Sequence, residues 1–139
     1  MAMKVRDIMT GSPTSVSPEL DIVTVARAMR DEEIGAVLVA EGDDLKGVVT
    51  DRDLVVRGLA AGGDPAQVKI GGIASKVTAT VRPDDSTDKA AQIMRERSVR
   101  RLPVLEDGRP VGIVSIRDLA SEKDVVSALA DTGAARSDT

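Results

Sequence analysis

Apolar and polar positions alternate with a changing period along residues 14–62. A short β-branched stretch, Thr14–Val16, ends at Pro18, whose ring removes an N–H and stops strand pairing. Asp21, a good N-cap residue, precedes Ile22, Val25, Ala26 and Met29, which form one apolar stripe at helical spacing. Two β-branched runs follow, Ala36–Ala40 and Lys46–Thr50, separated by the acidic turn Glu41-Gly42-Asp43-Asp44. Run, turn and run predict a hairpin. A second helix is predicted from Asp51 to near Gly62-Gly63, with Asp64-Pro65 leading away from it.

The same pattern then recurs. Thr78–Val81 predicts a strand ending at Pro83. Ser86 caps a helix with Ala90, Ala91, Ile93 and Met94 on its apolar face, and Leu102–Leu105 and Val111–Ser115 flank the turn Glu106–Pro110. Shifting the chain by 65 residues aligns 5–54 with 70–119 without a gap, and 13 of those 50 positions are identical, among them Arg52-Asp53-Leu54 with Arg117-Asp118-Leu119. The chain therefore reads as two copies of a β-α-β-β-α unit. Repeat one spans 5–62, a linker 63–69, repeat two 70–122, a C-terminal helix 123–130 and a flexible polar tail 131–139. A unit of about fifty residues buries little by itself. The expected architecture is an α+β pair of pseudo-symmetric repeats packed sheet to sheet about a two-fold axis, with two related clefts between them.

Composition narrows what such a pair can do. Among 139 residues there is no Cys, His, Phe, Tyr or Trp. That removes ordinary zinc sites, thiol nucleophiles, disulfides and His-based triads, so no metal and no catalytic residue is expected. It also removes aromatic platforms for single-stranded nucleic acid, and the net charge of −4 argues against a duplex footprint. No apolar run approaches a membrane span and Met1-Ala2-Met3-Lys4 opens no signal peptide, so a cytoplasmic protein is expected. Neither a Walker pattern nor a G-x-G-x-x-G occurs.

Thr50-Asp51-Arg52-Asp53 and Ser115-Ile116-Arg117-Asp118 both read [ST]-x-x-D where a strand passes into a helix. Two readings fit. The hydroxyl and acid form a capping box that serves only the helix end. Alternatively, the N–H groups and hydroxyl receive a phosphate while the carboxylate accepts from a ribose diol.

Val5-Arg6-Asp7-Ile8-Met9-Thr10, the run Gly47–Leu54, Val99-Arg100-Arg101-Leu102-Pro103-Val104 and Val111–Ser115, repeating at 65, resemble a tandem cystathionine β-synthase (CBS) domain pair, or Bateman module. With Leu59–Gly62 and Asp64-Pro65, the chain is similar to stand-alone bacterial and archaeal CBS proteins of the hypoxic response protein type. The resemblance covers residues 5–119 and implies adenosyl ligands, namely AMP, ADP, ATP, NAD or S-adenosylmethionine, bound without turnover. It also implies two clefts. The first joins Thr50, Arg52 and Asp53 to Ser75, Lys76, Val99, Arg100, Arg101 and Leu102. The second joins Ser115, Arg117 and Asp118 to Thr10, Gly11, Ile34, Gly35, Ala36 and Val37.

Charge separates the two clefts. Arg30–Ala36 carries −2 and Arg95–Arg101 carries +3, so the first cleft is expected to prefer polyphosphate ligands and the second a nucleoside or nothing. In the milder version Arg95 and Arg97 face water and only Arg100 or Arg101 points inward. The function expected is a homodimeric regulatory sensor acting on an unidentified partner protein. The rival is a dimeric interaction scaffold with vestigial clefts. An enzyme is disfavoured, because these residue types assemble no nucleophile–base pair.

Overall fold

The computed structural model describes residues 3–121; the predicted helix 123–130 and tail 131–139 lie outside the described residues. The chain divides into two compact units that are out of step with the sequence repeats. A central unit is Pro13–Val77, and a terminal unit joins the described residues of Met1–Ser12 to those of Thr78–Thr139. Each sequence repeat thus opens with a segment that belongs to the body of the other.

In the central unit β2 (Ser15–Val16) runs parallel to β3 (Ala36–Glu41). The hairpin partner β4 (Asp44–Thr50) is antiparallel to β3, and β5 (Ser75–Lys76) closes the sheet in the order β2-β3-β4-β5. The helix α2 (Ile22–Glu32) starts where Asp21 accepts the Thr24 N–H at 2.9 Å and ends with Glu33 in the left-handed region. Its stripe of Ile22, Val25 and Met29 packs on Val37, Val39 and Val49, and Ile70 from the opening of the second repeat is fully buried with them. The predicted second helix is a composite. α3 (Asp51–Asp53) continues as a π-helical turn, Leu54–Gly58, and a 3-10 turn, Leu59–Ala61, ending at Gly62 with φ +84°.

The terminal unit repeats this plan 65 residues on. α4 is Thr87–Arg97, β6 is Arg101–Glu106 and β7 is Arg109–Ser115, followed by helix from residue 116. Its sheet order is β1-β7-β6, where β1 is Thr10–Gly11 from the far end of the chain. The short helix α1 (Val5–Ile8) precedes β1 and anchors the segment. The Val5 N–H donates to Asp85 O at 2.8 Å, Arg6 N–H to Pro83 O at 2.9 Å, and Val5 is fully buried among Val81, Ala90 and Leu102, as Ile70 is in the central unit.

One predicted strand is reduced. Thr78–Val81 leaves only a bridge from Val81 to Val104, whereas its counterpart β2 is a strand. The cause is Pro103. In the central unit the Leu38 N–H donates to Thr14 O at 2.9 Å. Pro103 occupies the position 65 residues beyond Leu38 and has no N–H to give Ala79. The two entry strands, β5 and β1, each lie against a glycine. A Cβ on Gly47 would stand 2.7 Å from Ser75 O, and one on Gly112 would stand 2.9 Å from Thr10 O.

Candidate functional site

Each unit presents one strand end, one helix start and one entry strand side by side. In the central unit Thr50 closes β4 and pairs with Ala36 at the start of β3, while Val48 and Gly47 of the same strand pair with Ser75 and Lys76. In the terminal unit Ser115 closes β7 and pairs with Arg101, while Thr10 and Gly11 pair with Ile113 and Gly112. The unit boundaries therefore unite Thr50, Arg52, Asp53, Ser75, Lys76 and Ile34–Val37 in one body. Thr10, Gly11, Val99–Leu102, Ser115, Arg117 and Asp118 are in the other.

Both helix starts are complete capping boxes. Thr50 Oγ1 accepts the Asp53 N–H at 3.1 Å, and Asp53 Oδ2 accepts the Thr50 N–H at 2.9 Å. Ser115 and Asp118 do the same at 3.1 and 2.8 Å. In each, a further N–H turns back onto the hairpin start: Asp51 donates to Gly35 O at 3.0 Å and Ile116 to Arg100 O at 2.8 Å. Between the cap bonds, Arg52 N–H donates to Asp51 Oδ1 at 2.7 Å. The N–H groups of residues 50–53 are thus all engaged. In this arrangement the helix start presents no unengaged N–H of residues 50–53 to an anion, so the exposed side chains around it are what can meet one. The terminal helix differs because Ile116 offers no acceptor to the Arg117 N–H.

Asp53 has an 18% exposed side chain, with its second oxygen Oδ1 outside the cap and 4.0 Å from Arg57 Nε. Arg57, which the motif reading passed over, also donates through Nη1 to Ile73 O and to Ser75 Oγ, each at 3.3 Å. It ties the cap to the entry strand. Its spacing of four from Asp53 was the signal available in the sequence, since such pairs meet on a helix face.

The other candidates differ in what they can offer. Val37 and Leu102 are core residues, fully or almost fully buried, so their side chains belong to the two cores and only their backbone can face a ligand. Ile34 and Val99 are half-buried against the same cores. Arg52, Lys76, Arg100 and Arg117 are exposed, and Arg101 is half-buried. Apart from these residues, a groove of about 280 Å³ in the central unit is lined by Ile22, Val23, Ala26, Leu54 and Leu59 with Arg27 and Arg30, and no predicted site residue borders it. Among the described residues, no three acids stand together as metal ligands would, and no helix is long and apolar enough to cross a membrane.

Residues 5–58 and 70–125 match the sequence model of the CBS domain. The chain is 40% identical over 116 residues to Hypoxic response protein 1 of Mycobacterium tuberculosis strain H37Rv, covering 83% of this chain and 81% of that protein. It is similar to the crystal structure of Hypoxic Response Protein I with two coordinated zinc ions, with a TM-score of 0.73 and 38% identity over 86% of this chain and 98% of that one. A CBS domain pair of protein MJ0100, in complex with 5′-methylthioadenosine and S-adenosyl-L-methionine, superimposes with a TM-score of 0.75 at 23% identity. It covers 88% of this chain and 96% of that one, a likeness of fold.

Proposed function

The chain belongs to the CBS domain family as a tandem pair, and from that premise we propose that it is a non-catalytic regulatory module binding adenosyl ligands. AMP, ADP or ATP are the favoured ligands, with NAD and S-adenosylmethionine as the wider class. The observation that carries this reading is the duplicated hydroxyl–carboxylate pair. Thr50 with Asp53 and Ser115 with Asp118 occupy the same place in both units, and in each the cap uses only Oδ2. The remaining carboxylate oxygen is an acceptor at a half-buried position, the chemistry a ribose diol requires. The adenosyl compounds held by the MJ0100 pair are consistent with that ligand class.

The proposed sites keep the residues expected from the sequence. Thr50, Arg52, Asp53, Ser75 and Lys76 serve the central unit, and Ser115, Arg117, Asp118, Thr10 and Gly11 the terminal one. Ile34–Val37 and Val99–Leu102 contribute hairpin-start backbone, and Arg100 and Arg101 contribute charge. The module acts in the cytoplasm as a homodimer. Val55, Val56 and Leu59, each more than half exposed on one helical run, supply an apolar face for a second copy. Ligand binding would then shift its affinity for a regulated protein.

A second reading, an interaction scaffold that binds no nucleotide, is favoured by the completeness of the two caps, which need no ligand to satisfy them. Thermal unfolding with AMP, ADP, ATP, NAD and S-adenosylmethionine separates the two. A specific ligand at about 100 times its Kd adds roughly 2.7 kcal/mol. A melting temperature unmoved by all five leaves the scaffold.

A further inference from the structure

We propose that Arg57 is the residue that makes the Thr50–Asp53 end of the central unit select phosphate-bearing ligands, an inference that rests on the adenosyl reading above. The backbone at this helix start has nothing left to give an anion, because the N–H groups of residues 50–53 are all taken. Recognition of phosphate therefore falls to side chains. Arg57 is placed for it, one helical turn beyond Asp53, 53% exposed, with its guanidinium between the cap carboxylate and the entry strand. Its two hydrogen bonds both leave Nη1, are long at 3.3 Å, and reach neutral oxygens that a phosphate outcompetes as acceptor. A guanidinium has five N–H donors in a planar fork, so most of this one remains for an anion.

Ser75 completes the arrangement. Its Oγ accepts from Arg57, which leaves the hydroxyl proton to donate toward the same ligand oxygens. The Asp51 and Asp53 carboxylates at this cap repel phosphate, while Asp53 attracts a ribose diol, so a further cation beside them offsets that repulsion.

The internal repeat supplies a control within the molecule. At a shift of 65 residues Arg57 aligns with Glu122, Lys76 with Gly11, and Ser75 with Thr10. The hydroxyl–carboxylate pair is kept in both repeats, whereas in the sequence the cation four residues past the acid is replaced by an acid and the cation at Lys76 is replaced by glycine. The hydroxyl–carboxylate pair that fits adenosine is shared, whereas a cation at these two positions belongs to the central unit; the terminal unit carries arginines elsewhere, at Arg100, Arg101 and Arg117.

The experiment is calorimetric titration of the full chain with adenosine, AMP and ATP, for wild type, Arg57→Gln and Arg57→Lys, at two salt concentrations. Urea unfolding of each variant verifies that it is folded. The expected result is that Arg57→Gln weakens ATP at least about tenfold, equivalent to 1.4 kcal/mol, and leaves adenosine within about threefold. Arg57→Lys recovers part of the ATP affinity, and the wild-type preference shrinks with salt. Equal losses for adenosine and ATP would make Arg57 a prop for the entry strand, and no loss for either would make it a bystander; both outcomes overturn the inference while leaving the adenosyl reading in place. Failure of wild type to bind any of the three overturns the adenosyl reading, and this inference with it.

Discussion

Replacing Asp53 separates its two proposed roles, because one carboxylate oxygen serves the helix and the other lies outside the cap, facing Arg57. Asp53→Ala removes the Oδ2 that accepts the Thr50 N–H at 2.9 Å, in a part-buried position, and breaks the capping box. Loss of such a cap costs about 1–2 kcal/mol. For a chain of 139 residues that lowers the melting temperature by roughly 3–7 °C. Asp53→Asn keeps one neutral oxygen for the cap and turns an NH2 outward, so its cost is at most about 0.5 kcal/mol while the diol loses its acceptor. The assay is thermal unfolding of wild type, Asp53→Ala and Asp53→Asn, each with and without saturating AMP or ATP. Asp118→Ala and Asp118→Asn repeat it on a cap of equal geometry. Asp53→Asn and Asp118→Asn should each melt near wild type yet lose the part of the ligand-induced increase that comes from their own site, and the double variant most of it. An undiminished increase refutes the ribose role and leaves the carboxylate a cap alone, and a harmless Asp53→Ala refutes the capping argument itself.

Three other predictions follow from the packing and charge. Gly47→Ala and Gly112→Ala drive a methyl group into the backbone of the entry strands and should destabilise by about 1–3 kcal/mol, read as lower urea midpoints and as faster amide exchange at Ser75–Lys76 or Thr10–Gly11 respectively. Leu102→Ala should cost about 2–5 kcal/mol, because Leu102 is 1% exposed in a core with no aromatic side chain to fill the void; a loss of ligand affinity with no loss of stability would move Leu102 from the core to the site. The Arg6 guanidinium holds the Asp84 carboxyl below its usual range, and the Thr24 N–H and hydroxyl do the same for Asp21. Stabilisation from both is complete above the unfolded value near 3.9 and is lost as pH falls through the lower folded values. Urea midpoints should therefore fall below about pH 4, and Asp84→Asn should flatten that fall; an unchanged acid slope would show the pair to be inert.

The long elements were legible because their signals are local. α2 and α4 have a 3.6-residue stripe and an Asp or Ser cap, and the hairpins have β-branched runs around Gly-containing turns. β1 and β5 were not, since two residues carry no period and their pairing is set by partners elsewhere in the chain. The exchange of opening segments between repeats was hidden for the same reason: Val5 and Ile70 look alike in sequence, and nothing local says which core each enters. At the candidate site, the caps formed by Thr50 with Asp53 and Ser115 with Asp118 were readable from [ST]-x-x-D. The occupation of the Arg52 N–H by Asp51 depends on a side-chain rotamer that no motif encodes.

That exchange of segments has a consequence for how the chain is made. Everything the central unit requires is contiguous and has been synthesised once Val77 emerges, so it can settle early. β1 must wait for Gly112 and Ile113, about a hundred residues later, before it finds a neighbour. During that interval Thr10–Gly11 is a nascent strand without a home. A molecule that never recruits it would present β7 as a bare sheet margin, to which the opening segment of any adjacent nascent chain could be added in trans.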